Sequence, residues 1–535
     1  MRILARFLGS IFRLLRKKFD RKSFLNRLLS VIGVIGLLAA NADASEPLTA
    51  IEWLNDPAPV SVAQPLVSPL LQTDGEQGVL TPGVEVSTIN TSQPGAAGLL
   101  SAASTGLPTS IWLASTADTL IAQFARLPSD PLPAIQSLYY TLLLAEAEPP
   151  NDQTGSARFL NARLAALRKY GAVEPALALI EQAGPSQALL FQQWMELSLL
   201  SGEEAGPCAA LGDAPSLTDR YDLRIYCAAQ NGDWATAALT YDSASALGLL
   251  DDVTDALLAQ YLDPELADAT RKPKKGAPVP PLLFRLNETA GTPLPTGNLP
   301  RDYAGADLRG LSGWKAEIEA AERLTRAGAA PANRLLGLYT QQRASASGGV
   351  WDRVREVQNL DQALSQNDRA TISEILPGLW RAMRQERLAV AFSALFAERL
   401  SRHEFTGQAR QTAFKMALLA PDYERLSRQY DPQTREQSFL LSLVDSAPDD
   451  TQAATPAARA VAQAFNAPSA ASGHEGMLSE GRLGQAILTA ALQLDLAGPN
   501  QSSDIFSGLS TLRNVGLEDT ARRAALQILL LRVDA

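Results

Sequence analysis

The residues best placed to do chemistry are few. Asp251-Asp252-Val253-Thr254-Asp255 reads D-D-x-x-D. On a helix its first and last carboxylates stand one turn apart, a spacing that can hold a magnesium ion against a diphosphate. The run also follows Leu249-Leu250 at a helix start, where aspartates cap free amides and meet the positive end of the helix dipole. No second acidic motif completes a metal site, so capping is the expected role. His403-Glu404 and His474-Glu475 each open like the zinc motif H-E-x-x-H, but Gly407 and Leu478 stand where the second histidine is required. There is no G-x-x-x-x-G-K-[ST] phosphate loop, no dinucleotide G-x-G-x-x-G and no G-x-S-x-G elbow. With only two histidines and two cysteines, the usual bases and nucleophiles are scarce. No catalytic set, metal or cofactor is expected. Any catalysis would rest on paired carboxylates, as in a peptidoglycan-acting envelope hydrolase, which would need a deep cleft with two carboxyls about 5–10 Å apart.

The N-terminus reads as an export signal. Residues 1–27 carry nine basic side chains and one acid, Asp20; an uncharged apolar run covers 28–40; Ala42-Asp43-Ala44 is a small-x-small site. Basic, apolar, small is the order of a signal peptide, with cleavage expected after Ala44. As a helix the apolar run reaches roughly 20 Å, short of the ~30 Å hydrocarbon core, which argues against the alternative, an uncleaved anchor tethering the protein to the membrane. Membrane contact is therefore expected only through the leader, if it is retained. The whole chain has 47 basic and 57 acidic residues; residues 1–44 hold nine and two of them, leaving 38 and 55, a net charge of −17. So acidic a body repels nucleic acid and suits a basic or peptide partner. In the oxidising compartment that export implies, Cys208 and Cys227 are a natural disulfide, closing a loop worth ~3 kcal/mol; two buried free thiols are the alternative.

The elements that must position any site are helices. Ala, Leu, Glu, Gln and Arg are abundant and aromatics are only 6%, a mixture that favours helix over sheet. Residues 45–116 are Pro-rich, lack helical periodicity and read as an extended, partly disordered segment, with one short strand possible over 79–89. Two apolar islands interrupt it, Ile51-Glu52-Trp53-Leu54 and Ile111-Trp112-Leu113. Trp53 and Trp112 are either anchors for another protein or patches that fold back onto the body. Apolar stripes at helical spacing then begin near Asp118. Helices over 156–170, 187–201 and 219–231 end at Gly171, Gly202 and Gly232, which are 31 and 30 residues apart. Each glycine sits where a helix needs a left-handed C-cap before an antiparallel partner. Gly171 and Gly232 are followed five residues on by Ala176 and Ala237, and Gly516 by Ala521; a small residue there lets paired helices approach closely.

This grammar resembles the tetratricopeptide family, in the Gly-Asp-Trp-Ala-Thr-Ala run at 232–237 and the Gly171-to-Ala176 turn. The likeness covers 155–250 and, more faintly, the C-terminal helices. It departs from the family in its shorter period and incomplete register. The resemblance implies antiparallel helical hairpins stacked as an α-solenoid with a concave binding face. The expected fold is thus all-α, in two halves: helical repeats over 117–262, a Pro-rich linker over 263–302 with the basic run Arg271-Lys272-Pro273-Lys274-Lys275, and a second helical domain over 303–535. In the second half, the Ser347-Gly348-Gly349 turn offers Trp351 and Arg353, residue types favoured at interface hot spots, but the preferred reading is a plain loop with Asp352 near a helix start and Trp351 tucked into the core. Together these readings predict a non-enzymatic periplasmic scaffold that binds other envelope proteins.

Overall fold

A computed structural model describes residues 94–152, 155–185, 188–265, 278–467, 474–498 and 501–532. The expected leader, the Trp53 island, the strand over 79–89 and the basic run at 271–275 lie outside these residues. The described chain is all-α. Its principal helices are α1 (Ala117–Ala125), α2 (Pro133–Leu144), α3 (Gly155–Tyr170), α4 (Val173–Gln182), α5 (Ala188–Ser201), α6 (Ala205–Asp213), α7 (Tyr221–Gln230), α8 (Trp234–Ala246), α9 (Asp252–Leu262) and α10 (Pro281–Thr289). They continue as α11 (Trp314–Arg326), α12 (Ala332–Gln341), α13 (Val350–Ser365), α14 (Arg369–Gln385), α15 (Ala389–Leu400) and α16 (Gly407–Leu419). The last are α17 (Arg435–Val444), α18 (Pro456–Asn466), α19 (Leu483–Leu496), α20 (Ser502–Asn514) and α21 (Glu518–Gln527). A 3-10 stretch, Arg301–Arg309, packs on α3, α5 and α11.

The hairpin turns share one chemistry. Gly171, Gly202, Gly232 and Gly516 all have left-handed φ, between +79° and +86°. In each turn the amide after the glycine closes the helix on a carbonyl five residues back: Ala172 on Leu167, Glu203 on Ser198, Asp233 on Ala228 and Leu517 on Leu512. This is the Schellman motif, and glycine has no Cβ to oppose it. Ala176, Ala237 and Ala521 are fully buried, where the second helix of each pair crosses the first. Three turns of the same kind carry a side chain instead, with Asn367, Arg387 and Ser446 at φ near +57°.

The apolar core is continuous from Leu107 to Leu530 and spans both the stretches before and after 263–302. Two packing features account for this. Within the Pro-rich stretch, α10 begins at Pro281, where the missing N–H costs nothing, and packs its apolar side on α5 and α9. At the chain ends, α2 packs on α19 and α21. Three hydrogen bonds pin that closure: Gln123 Nε2 to Thr489 Oγ1, Leu132 N to Asp495 Oδ1 and Ala134 N to the Gln527 side-chain carbonyl, each 2.8 Å. Residues 94–116 hold short turns and one four-residue helix, Ala102–Thr105, and lie docked on the body. Trp112 is wholly enclosed against Phe124 and Phe159, and Gly484 backs it so closely that an added Cβ would stand 2.4 Å from the indole.

Candidate functional site

Cys208 and Cys227 are joined, tying α6 to α7 with their Cα atoms 4.7 Å apart. Both are buried, and Asn231 Nδ2 donates to the Cys208 carbonyl at 2.9 Å, closing the same corner. In the chain-entropy account a loop of this length stabilises by about 3 kcal/mol. Reduction, or replacement of both cysteines by alanine, is therefore expected to lower stability by that amount in urea unfolding. A midpoint indifferent to reductant would show that the bond contributes nothing.

Asp251 caps α9: its Oδ1 accepts from the Val253 and Thr254 amides, each at 3.1 Å, and its Oδ2 from the Thr254 hydroxyl at 2.6 Å. Burial raises its pKa, and these hydrogen bonds outweigh that and hold it below the usual carboxylate range. The D-D-x-x-D run thus has a capping use. His474 is buried with Nδ1 2.7 Å from the Thr511 hydroxyl, and burial lowers its pKa. His403 stacks at an angle on Phe405. Among the described residues no three His, Cys, Asp or Glu side chains gather as a metal site.

Trp351 packs on Trp314, ring centroids 5.0 Å apart, and is half-buried. Arg353 turns inward. Its Nη2 and Nε donate to both Glu322 oxygens at 2.6 and 2.9 Å, and Nη1 donates to Glu386 at 3.2 Å. The Tyr339 hydroxyl donates to Glu322 at 2.7 Å, and Arg326 Nη2 donates to Glu386 at 3.1 Å. Burial alone would lower the Arg353 pKa; the Glu322 hydrogen bonds and the Glu322 and Glu386 charges more than reverse it. The network cross-links α11, α12, α13 and the end of α14. Arg353 is thereby engaged in ion pairs within the fold, although it also lines the groove beside Gly349.

Beside this network a pocket of about 770 Å³ forms where distant stretches of chain converge. The loop between α1 and α2 supplies Asp130, Pro131 and Leu132; α11 supplies Arg326; the end of α14 supplies Arg381 and Arg384, and the α14–α15 turn Arg387; the C-terminal helices supply Asp495, Leu531 and Arg532. Arg387 Nη1 donates to the Asp130 carbonyl at 3.3 Å. Arg532 is held by three carbonyls, Leu494, Ala497 and Asp495, at 2.6, 3.0 and 2.8 Å.

The Asp495 side chain is wholly buried, and burial pushes its carboxyl up to about 6. An acid whose folded pKa lies above its unfolded value holds its proton more tightly when folded. Its contribution therefore favours folding below pH ~4 and is lost as the pH rises through about 6, by at most about 3 kcal/mol. Asp495→Asn keeps an oxygen for the Leu132 amide and removes the titration. The variant is expected to gain stability relative to the parent between pH 4 and 7.5. A stability difference that stays constant with pH would refute this account.

Two exposed features complete the surface. A polar groove of about 850 Å³ runs between α13 and α14, lined by Asp352, Glu356, Asn359, Gln362 and Glu374. Helix α8 is nearly bare: it buries only Ala237 and Ala244, while Trp234 is 52% exposed, Leu239 70% and Leu247, just beyond its end, 73%. Tyr221 and Leu249 are exposed nearby in the chain. Trp234 rests one side on Tyr261, which stacks on Tyr226, so the indole has a fixed base.

The fold and surface define an all-α protein of packed antiparallel helix pairs. No family model matches the chain, and no curated protein or solved structure matches it either. Among the described residues no helix is long and apolar enough to cross a membrane.

Proposed function

We propose that this protein is an exported, periplasmic scaffold of tetratricopeptide-like helical hairpins that binds another envelope protein through α8. The observation that carries the reading is α8, which leaves Trp234 and Leu239 exposed, with Leu247 exposed just beyond its end. Tryptophan held on a fixed base is a favoured anchor of protein interfaces. The hairpin that presents it, α7–Gly232–α8, is one of the two whose sequence resembles the repeat family. The basic, apolar, small-residue leader and the disulfide fit an oxidising compartment outside the cytoplasm.

The test is site-specific photo-crosslinking in intact cells, with the reactive side chain at Leu239, and at Leu311 as an exposed position far along the chain. A discrete adduct at 239 and none at 311, abolished by Trp234→Ser, is the expected result. Trp234→Ser itself should cost about 1 kcal/mol, the packing of the covered half of the indole on Tyr261, and leave the fold intact. Equal labelling at both positions, or none at 239, would remove α8 from the reading. The mass of the purified protein tests export separately: cleavage after Ala44 fits the periplasmic assignment, and a retained leader points to a membrane-tethered form.

A further inference from the structure

We propose that the groove of about 850 Å³ between α13 and α14 binds an extended, lysine- or arginine-bearing segment of a partner protein, on a surface separate from α8. The lining runs the length of both helices. Asp352, Glu356, Asn359 and Gln362 follow one another at three or four residues along α13, and Gln366 continues the row just beyond its end. Thr371, Glu374, Gly378, Ala382 and Gln385 form the matching row along α14. That spacing keeps each row on one face of its helix. Helices of 16 and 17 residues are each about 25 Å long, the span of about seven residues of extended chain.

The sign of the partner follows from the charges. Four acids line the groove, Asp352, Glu356, Asp368 and Glu374, and among the described residues Arg353 is the one basic residue beside them. Its guanidinium is already bound by two further carboxylates, Glu322 and Glu386. Asp352 has Arg355 at 3.5 Å, both largely in solvent. Asp368 caps α14, accepting from the Thr371 amide and hydroxyl, which bring it no positive charge. Glu356 and Glu374 have no cationic partner among the described residues. Both walls therefore carry negative charge that the fold does not cancel, complementary to lysine or arginine.

Charge alone would fit any cation; the amides decide the class. The side chains of Asn359, Gln362, Gln366 and Gln385 line the groove and make no hydrogen bond among the described residues. Each both donates and accepts, as does each residue of an extended backbone. A helical partner would bring its N–H and C=O groups already paired, and a polyamine would bring donors only. The floor suits a backbone as well. Gly378 lies within α14, and nothing stands within 4 Å of a Cβ placed on it. Glycine weakens a helix interior, and here no neighbour requires it. The missing side chain leaves room for another chain to approach closely.

Fluorescence anisotropy of the full chain with a labelled heptapeptide of alternating lysine and threonine tests the proposal. Saturable one-to-one binding is expected, weakened about threefold by Glu356→Gln or Glu374→Gln and about tenfold by both together. Gly378→Leu keeps every charge and fills the floor of the groove. It should weaken binding about tenfold or more without lowering the unfolding midpoint, because leucine suits a helix better than glycine. Loss of binding is thus separable from loss of fold. A heptapeptide with glutamate in place of lysine should not bind. Spermine, which matches the charge of the lysine peptide but has no peptide backbone, should compete about tenfold more weakly than unlabelled peptide. Spermine competing equally would reveal an acidic surface that attracts any cation, and would overturn the proposal. Full affinity in Gly378→Leu or in the double glutamine variant, or no saturable binding, would overturn it too.

Discussion

Replacing Arg163 by methionine is expected to cost about 4 kcal/mol, one of the two largest effects of a single substitution in this protein. Arg163 lies on α3 with no exposed surface. Its Nε donates to the Leu143 carbonyl at 2.8 Å, Nη2 to Ala145 at 3.0 Å, and Nη1 to Gly95 and Ala97 at 3.2 and 2.8 Å. Among the described residues no carboxylate shares the site, and burial pulls its pKa down to about 10, still charged at neutral pH. The charge is held instead by carbonyl dipoles. Leu143 and Ala145 carry the open carbonyls at the C-terminus of α2, where the helix dipole is negative and no intrahelical amide remains to donate. Gly95 and Ala97 belong to the segment docked on α3, so one side chain caps α2 and clamps that segment. Methionine fills much of the volume of the stem but donates nothing, leaving four acceptors buried at about 1 kcal/mol each. Urea unfolding measures the loss, and limited proteolysis should then cut within 94–116, which the parent protects. A loss below about 1 kcal/mol would mean that water replaces the guanidinium, and would refute the clamp.

Replacing Glu322 by leucine is expected to cost about 3–5 kcal/mol. The side chain is 3% exposed and receives two hydrogen bonds from Arg353 and one from Tyr339. Without it, Arg353, itself only 13% exposed, keeps only Glu386, and the Tyr339 hydroxyl loses its acceptor. Most of the cost is the desolvated charge left behind rather than the worth of the bridge. The double variant Glu322→Leu, Arg353→Met should therefore recover part of the stability lost by the single change, with a coupling of about 1–3 kcal/mol in a double-mutant cycle. Additive losses would show that the two groups act independently.

Much of the helical grammar was legible because it follows from local costs. Gly171, Gly202, Gly232 and Gly516 could be read as turns since the left-handed C-cap penalises any Cβ within the same few residues. The apolar stripes marked most helices. Two were missed. Helix α10 hides among prolines that look like breakers, although proline at a first helical position starts a helix. Helix α17 announces itself in its cap: Thr434 accepts from the Gln437 amide. Arg387 gave no such sign, because an arginine in a left-handed turn looks like any surface arginine. Arg163 and Glu322 give no sign either, since a charge beside an apolar stripe reads as the solvated edge of a helix until its partners are in place.

The sequence by itself determined the helical class, where many hairpins turn, the pairing partner available to each cysteine and the capping use open to Asp251. All depend on neighbours within a few tens of residues. Only the tertiary structure decided that α2 closes on α19 and α21, that Trp112 faces inward while Trp234 faces solvent, and that arginines at 326, 381, 384, 387 and 532 share one pocket with Asp495. Those arrangements depend on which apolar faces bury one another across hundreds of residues. Helical periodicity says that a face will be covered, and carries no information about what covers it.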